Sequence, residues 1–86
     1  MDKLMKRVRE VLRKEFPGCS PELEQVRPLK KVGGFLVWDG FEELEQLERQ
    51  RRLSKALRKH LSPDELAGVT TILTMTPNEV AVMRED

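Results

Sequence analysis

The sequence predicts a two-layer α+β domain in the order α-β-β-α-α-β-α, with a three-stranded mixed sheet and its helices packed on one face. Three observations carry this prediction. Apolar residues recur at helical spacing in the first sixteen positions, two β-prone runs (35–38 and 69–75) stand on either side of a long charged segment, and three stretches have the pattern of a helix start. A strand reached from a hairpin through a helical crossover normally joins the hairpin's sheet, which makes the sheet mixed.

The elements follow in order. Leu4, Met5, Val8, Val11, Leu12 and Phe16 line one side of a helix over 2–16, and Phe16-Pro17-Gly18 ends it because proline disfavours helical geometry in the residue before it. Ser20-Pro21-Glu22 can open a helix, but Leu23-Glu24-Gln25-Val26-Arg27 reads as an edge strand stopped by Pro28, and the strand is the reading adopted. Residues 29–34 then connect to the strand Phe35-Leu36-Val37-Trp38, completing a hairpin. Asp39 and Glu42 have capping-box spacing, so a helix should begin near Gly40. At about 100° per residue, Phe41, Leu44 and Leu47 share one face, whereas Leu53, Ala56, Leu57 and Leu61 lie roughly 140° away. One straight helix cannot bury both stripes in one core, so a break is expected at 48–50. Ser62-Pro63-Asp64-Glu65 starts a single turn closed by Gly68. The strand Val69–Met75 follows, in which Val69, Thr71, Leu73 and Met75 alternate and should face one side. Thr76-Pro77-Asn78-Glu79 opens a short last helix.

The 86 residues form one domain, too small to house a deep substrate cavity easily. Net charge is +1, yet residues 1–61 hold 15 of the 16 Lys and Arg. One cysteine excludes an internal disulfide and points to a reducing, cytoplasmic setting. No apolar run approaches the roughly 20 residues of a membrane span, so no membrane contact is expected.

Catalytic chemistry finds little to work with. His60, the one histidine, lies near a helix C-terminus beside Arg58 and Lys59, where its positive form suits the helix dipole. Cys19 follows a Pro-Gly turn with nothing adjacent to activate it, and Cys19 with His60 would supply only two metal ligands. The expectation is a non-enzyme with no cofactor and no small-molecule substrate. Phe35 and Trp38 fit either a core or a base-stacking platform. Arg51, Arg52, Lys55, Arg58 and Lys59 share a helix arc of about 120°. They either meet nucleic acid or an acidic protein, or form a solvated face of the kind the dipole favours late in a helix.

Phe16-Pro17-Gly18, Phe35-x-Val37, Asp39-x-Phe41, Glu48-Arg49-Gln50-Arg51 with Leu53 and Leu57, and Thr76-Pro77-x-Glu79 together resemble the BolA-like family over most of the chain. The resemblance implies a type II KH-like fold and an adaptor or regulator. Many such proteins pair with a monothiol glutaredoxin around a two-iron two-sulfur cluster, and some bind DNA. The family's cluster-ligating histidine would fall on Gly68, Val69 or Thr70, none of which can ligate iron, and 30–34 holds no second ligand. The glycine usual in the family downstream of the Phe41 equivalent is here Glu43, a further departure. The functional expectation is therefore a macromolecule-binding adaptor or regulator. Iron-sulfur trafficking with a glutaredoxin, using His60 or Cys19 atypically, is the alternative.

Overall fold

A computed structural model describes residues 3–26 and 31–84. Helix α1 (Lys3–Glu15) leads into strands β1 (Ser20–Val26) and β2 (Lys31–Val37), and a 3-10 turn (Asp39–Phe41) precedes α2 (Gln46–His60). A five-residue α3 (Pro63–Ala67), strand β3 (Val69–Met75) and α4 (Pro77–Met83) complete the chain. The strands lie in the order β1-β2-β3, with β1 antiparallel and β3 parallel to β2. This is the predicted α+β order and mixed sheet.

Amphipathic spacing explains the core. Val8, Val11 and Leu12 of α1, with Phe16 just after it, meet Leu53, Ala56 and Leu57 of α2, with Leu61 just after it, over Leu36 and Ile72 of the sheet, and Phe41 belongs to the same core. Gly18, at φ 84°, supplies the left-handed residue that turns the chain from α1 into β1. Ser62 and Thr76 each form a complete capping box, with Glu65 and Glu79 reaching back to the cap amide. No helix among the described residues is long and apolar enough to cross a membrane.

Four local expectations differ from what is observed. First, β1 begins at Ser20, so Ser20-Pro21 is strand and not an alternative helix start; Arg27 and Pro28 lie outside the described residues. Second, β2 begins at Lys31, so Gly33 and Gly34 are paired strand residues opposite Glu24 and Leu23 and not a connection; Leu29 and Lys30 lie outside the described residues. A Cβ on Gly33 would stand 2.7 Å from Thr70 Cγ2 and 2.9 Å from the Thr71 carbonyl oxygen, so glycine here permits close approach of strands.

Third, β3 does not bury the expected set. Val69 pairs with Val32 and Ile72 with Gly34, so β3 uses three residues where β2 uses two. This bulge shifts the pleat and leaves Ile72 and Thr74 buried, while Leu73 is 49% exposed on the other face.

Fourth, the break before the long helix comes earlier than 48–50. Asp39 does not cap the 3-10 turn with its side chain, Glu45 is extended, and α2 is continuous from Gln46. The stripes are reconciled differently from the expectation. Phe41 is fully buried, but Leu47 is 65% exposed and belongs to neither stripe. The helix must be intact at 46–50 because Gln46, Arg49 and Gln50, at i, i+3 and i+4, all reach β3.

Candidate nucleic-acid interface

Helix α2 buries Arg49, Leu53, Ala56 and Leu57 and turns its opposite side outward. The five predicted cations, Arg51, Arg52, Lys55, Arg58 and Lys59, are all exposed, but they do not form one patch. Arg51, Arg52, Lys55 and Lys59 line an open groove of about 510 Å³ with Glu15, Phe16, Glu48 and Ala56. Arg58 turns to a second depression, shared with Leu66 of α3 and with Val69, Thr70 and Ile72 of β3. Among the described residues, the side chains of Arg51, Arg52, Lys55 and Arg58 make no ion pair or hydrogen bond; Lys59 Nζ lies 3.9 Å from Glu15 Oε2.

One end of the groove holds a contact that sequence spacing does not reveal, because its members are 45 residues apart. His60 Nε2 lies 2.7 Å from Glu15 Oε2 where α1 and α2 end side by side. Arg7 ties the same corner, donating to the His60 carbonyl at 2.9 Å and pairing with Glu65 of α3 at 3.4 Å. The hydrogen bond from His60 holds the Glu15 carboxyl below the usual carboxylate range; burial opposes this, and the charges of Lys59, His60 and Lys14 reinforce it. Glu15 is therefore an anion at neutral pH.

The most specific part of the family-like pattern has a structural role. Arg49 is 5% exposed. Its Nη1 and Nη2 donate to the two carboxylate oxygens of Glu79 at 2.8 and 3.2 Å, its Nε donates to the Leu44 carbonyl at 2.9 Å, and Nη1 also reaches the Thr74 carbonyl at 3.4 Å. Gln46 and Gln50 donate to the Thr74 and Ile72 carbonyls on the edge of β3 that faces away from β2. These bonds fasten α2 to β3 and α4, and they occupy carbonyls that an edge strand would otherwise offer to another chain. The Glu48-Arg49-Gln50-Arg51 and Thr76-Pro77-x-Glu79 motifs thus meet in space as a lock.

Glu65 and Glu79 are held below the ordinary carboxylate range like Glu15, Glu65 chiefly by the Ser62 backbone N–H and Glu79 chiefly by Arg49. A carboxyl with a lowered folded value contributes stability above its unfolded value and loses it as pH falls through the folded one. These three carboxylates should therefore make the thermal midpoint fall steadily as the pH drops below the ordinary value of 4.5. Scanning calorimetry down to about pH 3 checks this, and an unchanged midpoint there would refute it.

The remaining candidates are committed elsewhere. Trp38 stacks edge-on against Phe16 and Phe41, each with centroids 5.1 Å away, and its indole N–H donates to the Pro17 carbonyl at 2.9 Å. Phe35 is half-buried on the face away from α1 and α2. Cys19 is half-buried, with Sγ 3.5 Å from the Leu12 carbonyl, and burial pushes its thiol up, away from the thiolate form that ligates and attacks. Among the described residues, no three His, Cys, Asp or Glu side chains gather as a metal-binding group. At the start of β3, Gly68 caps α3 with its surface against Leu4, and its carbonyl accepts from Val32 N–H at 2.8 Å.

No protein-family model matches the chain, and no curated protein matches it. Among solved structures it is similar to BolA1 from Arabidopsis thaliana, with a TM-score of 0.69 and 24% sequence identity over 92% of this chain and 98% of that one. The chain therefore has the BolA-like fold that its motifs predict.

Proposed function

We propose that this chain is a non-enzymatic adaptor or regulator that binds the phosphate backbone of nucleic acid through α2. The observation that carries the reading is the groove in which Arg51, Arg52, Lys55 and Lys59 stand together, three of them without a counter-ion among the described residues. Successive i, i+4 cations are about 6 Å apart along a helix, a repeat suited to a chain of phosphates. The aromatic side chains nearest the groove are packed into the core, which favours contact with the backbone over base stacking. A non-enzymatic role is supported by the half-buried Cys19, whose burial disfavours the thiolate.

Fluorescence anisotropy with a labelled duplex tests this. Affinity should be independent of sequence and fall with salt along a logarithmic slope of about −3 to −4, the value for roughly four phosphates neutralised. The triple reversal Arg51→Glu, Arg52→Glu, Lys55→Glu should abolish binding while the circular dichroism and thermal midpoint stay near those of the parent. Arg58→Glu, outside the groove, should weaken binding less. Equal, salt-insensitive signals from parent and triple variant would reduce the cations to a solvated face.

A further inference from the structure

We propose that the Glu15–His60 contact makes the groove sensitive to pH, strengthening its hold on phosphate as the medium acidifies. This rests on the nucleic-acid reading above and names a regulation of the same site. Glu15 Oε2 is shared between two cationic partners, with His60 Nε2 at 2.7 Å and Lys59 Nζ at 3.9 Å. Glu15 and Lys59 both line the groove. Histidine is the side chain whose charge changes between about pH 5 and 8, so the competition for Glu15 is decided in that window.

When His60 is protonated, its charge neutralises Glu15 at the shorter distance and Lys59 is released toward the groove. When His60 is neutral, the Glu15 charge is left to Lys59, and this end of the groove loses one positive charge. By linkage, phosphate bound beside Lys59 must in turn favour the protonated imidazole. Other charged groups stand at this corner. Arg7 of α1 donates to the His60 carbonyl and pairs with Glu65 of α3, and Lys14 of α1 adds positive charge near Glu15. Glu15 and Glu65 are both held as carboxylates well below the histidine window. Glu15, in contact with both His60 and Lys59, is the group through which the charge of the histidine reaches the groove. His60 itself does not line the groove, so its effect passes through Glu15.

Duplex affinity of the full chain, measured by anisotropy at fixed low salt from about pH 5.5 to 8, should weaken roughly three- to tenfold, and the salt slope should shrink by about one. Two variants separate the proposal from a general electrostatic effect, because they should flatten the pH profile at opposite levels. His60→Gln cannot become charged, leaves Glu15 to Lys59, and should bind weakly at every pH. Glu15→Gln frees Lys59 throughout and should bind tightly at every pH. Thermal melts at each pH confirm that the variants are folded under assay conditions. If the parent binds equally across the range, or if Glu15→Gln keeps the parent's pH dependence, the proposal fails while the nucleic-acid reading stands. If the parent binds no duplex at any pH, that reading fails first and takes this one with it.

Discussion

Gly34→Ala should remove about 2–6 kcal/mol of stability, although it adds a single methyl group. Gly34 sits in the central strand at φ 136°, a conformation that L side chains rarely adopt and that costs about 1–3 kcal/mol for a residue other than glycine. Its Cβ would also be driven into the Glu22 carbonyl on β1, backbone that cannot step aside without opening the β1–β2 ladder. Overpacking of this kind costs another 1–3 kcal/mol or so. A chain of this length has roughly 4–13 kcal/mol of stability in all. A fall of the thermal midpoint by about 8 °C or more, followed by circular dichroism, is the expected result, and a variant melting within about 5 °C of the parent would contradict it. Gly18→Ala is the useful comparison, because its φ of 84° is strained for alanine but no atom lies within 4 Å of the added Cβ. It should stay folded with a lower midpoint.

The pair Gly33-Gly34 also shows where local reading of the sequence ends. Two adjacent glycines look like a turn because that is what an isolated chain does with them. Here they are strand, because β1 and β3 come closer on either side than side chains at these positions would allow. That information belongs to the partners. The same holds for β3, where alternation was legible but the bulge opposite Gly33, set by strand packing, decided which face went inward. By contrast, the Ser62 and Thr76 capping boxes and the stripe of α1 were legible because every participant lies within a few residues.

For the candidate site, helical periodicity placed the five cations on one arc of α2 but could not see α1 beside it. The end of α1 makes a groove of four of them and leaves Arg58 on the far side. Glu15 and His60 had no local signal at all, since their contact exists only because two helices end together.

Arg49 is the other residue whose role sequence spacing did not disclose, and its loss should have the second large effect. Helix periodicity puts a charged residue at 49 on the buried side of α2, which is unfavourable unless the charge is paired and fully hydrogen-bonded. Glu79 and the Leu44 and Thr74 carbonyls supply that pairing, and the guanidinium carbon lies 5.8 Å from the centre of the Phe41 ring. Arg49→Met keeps the aliphatic volume but strands these carbonyls and leaves Glu79 without its cation. Removing one member of a buried pair costs about 3–5 kcal/mol. Glu79 is 42% exposed and can be rehydrated, so the lower end, about 3 kcal/mol, is the better figure here. In a domain of this size that is a fall in thermal midpoint of roughly 12–24 °C. Glu79→Gln should cost less, because the amide keeps an acceptor for Arg49 and for the Thr76 amide. The double variant Arg49→Met with Glu79→Gln should lose less than the two single losses added, the sign of direct coupling. Strict additivity in that cycle, or a fall of under about 4 °C for Arg49→Met, would show that the Arg49–Glu79 pair does not hold α2 to α4.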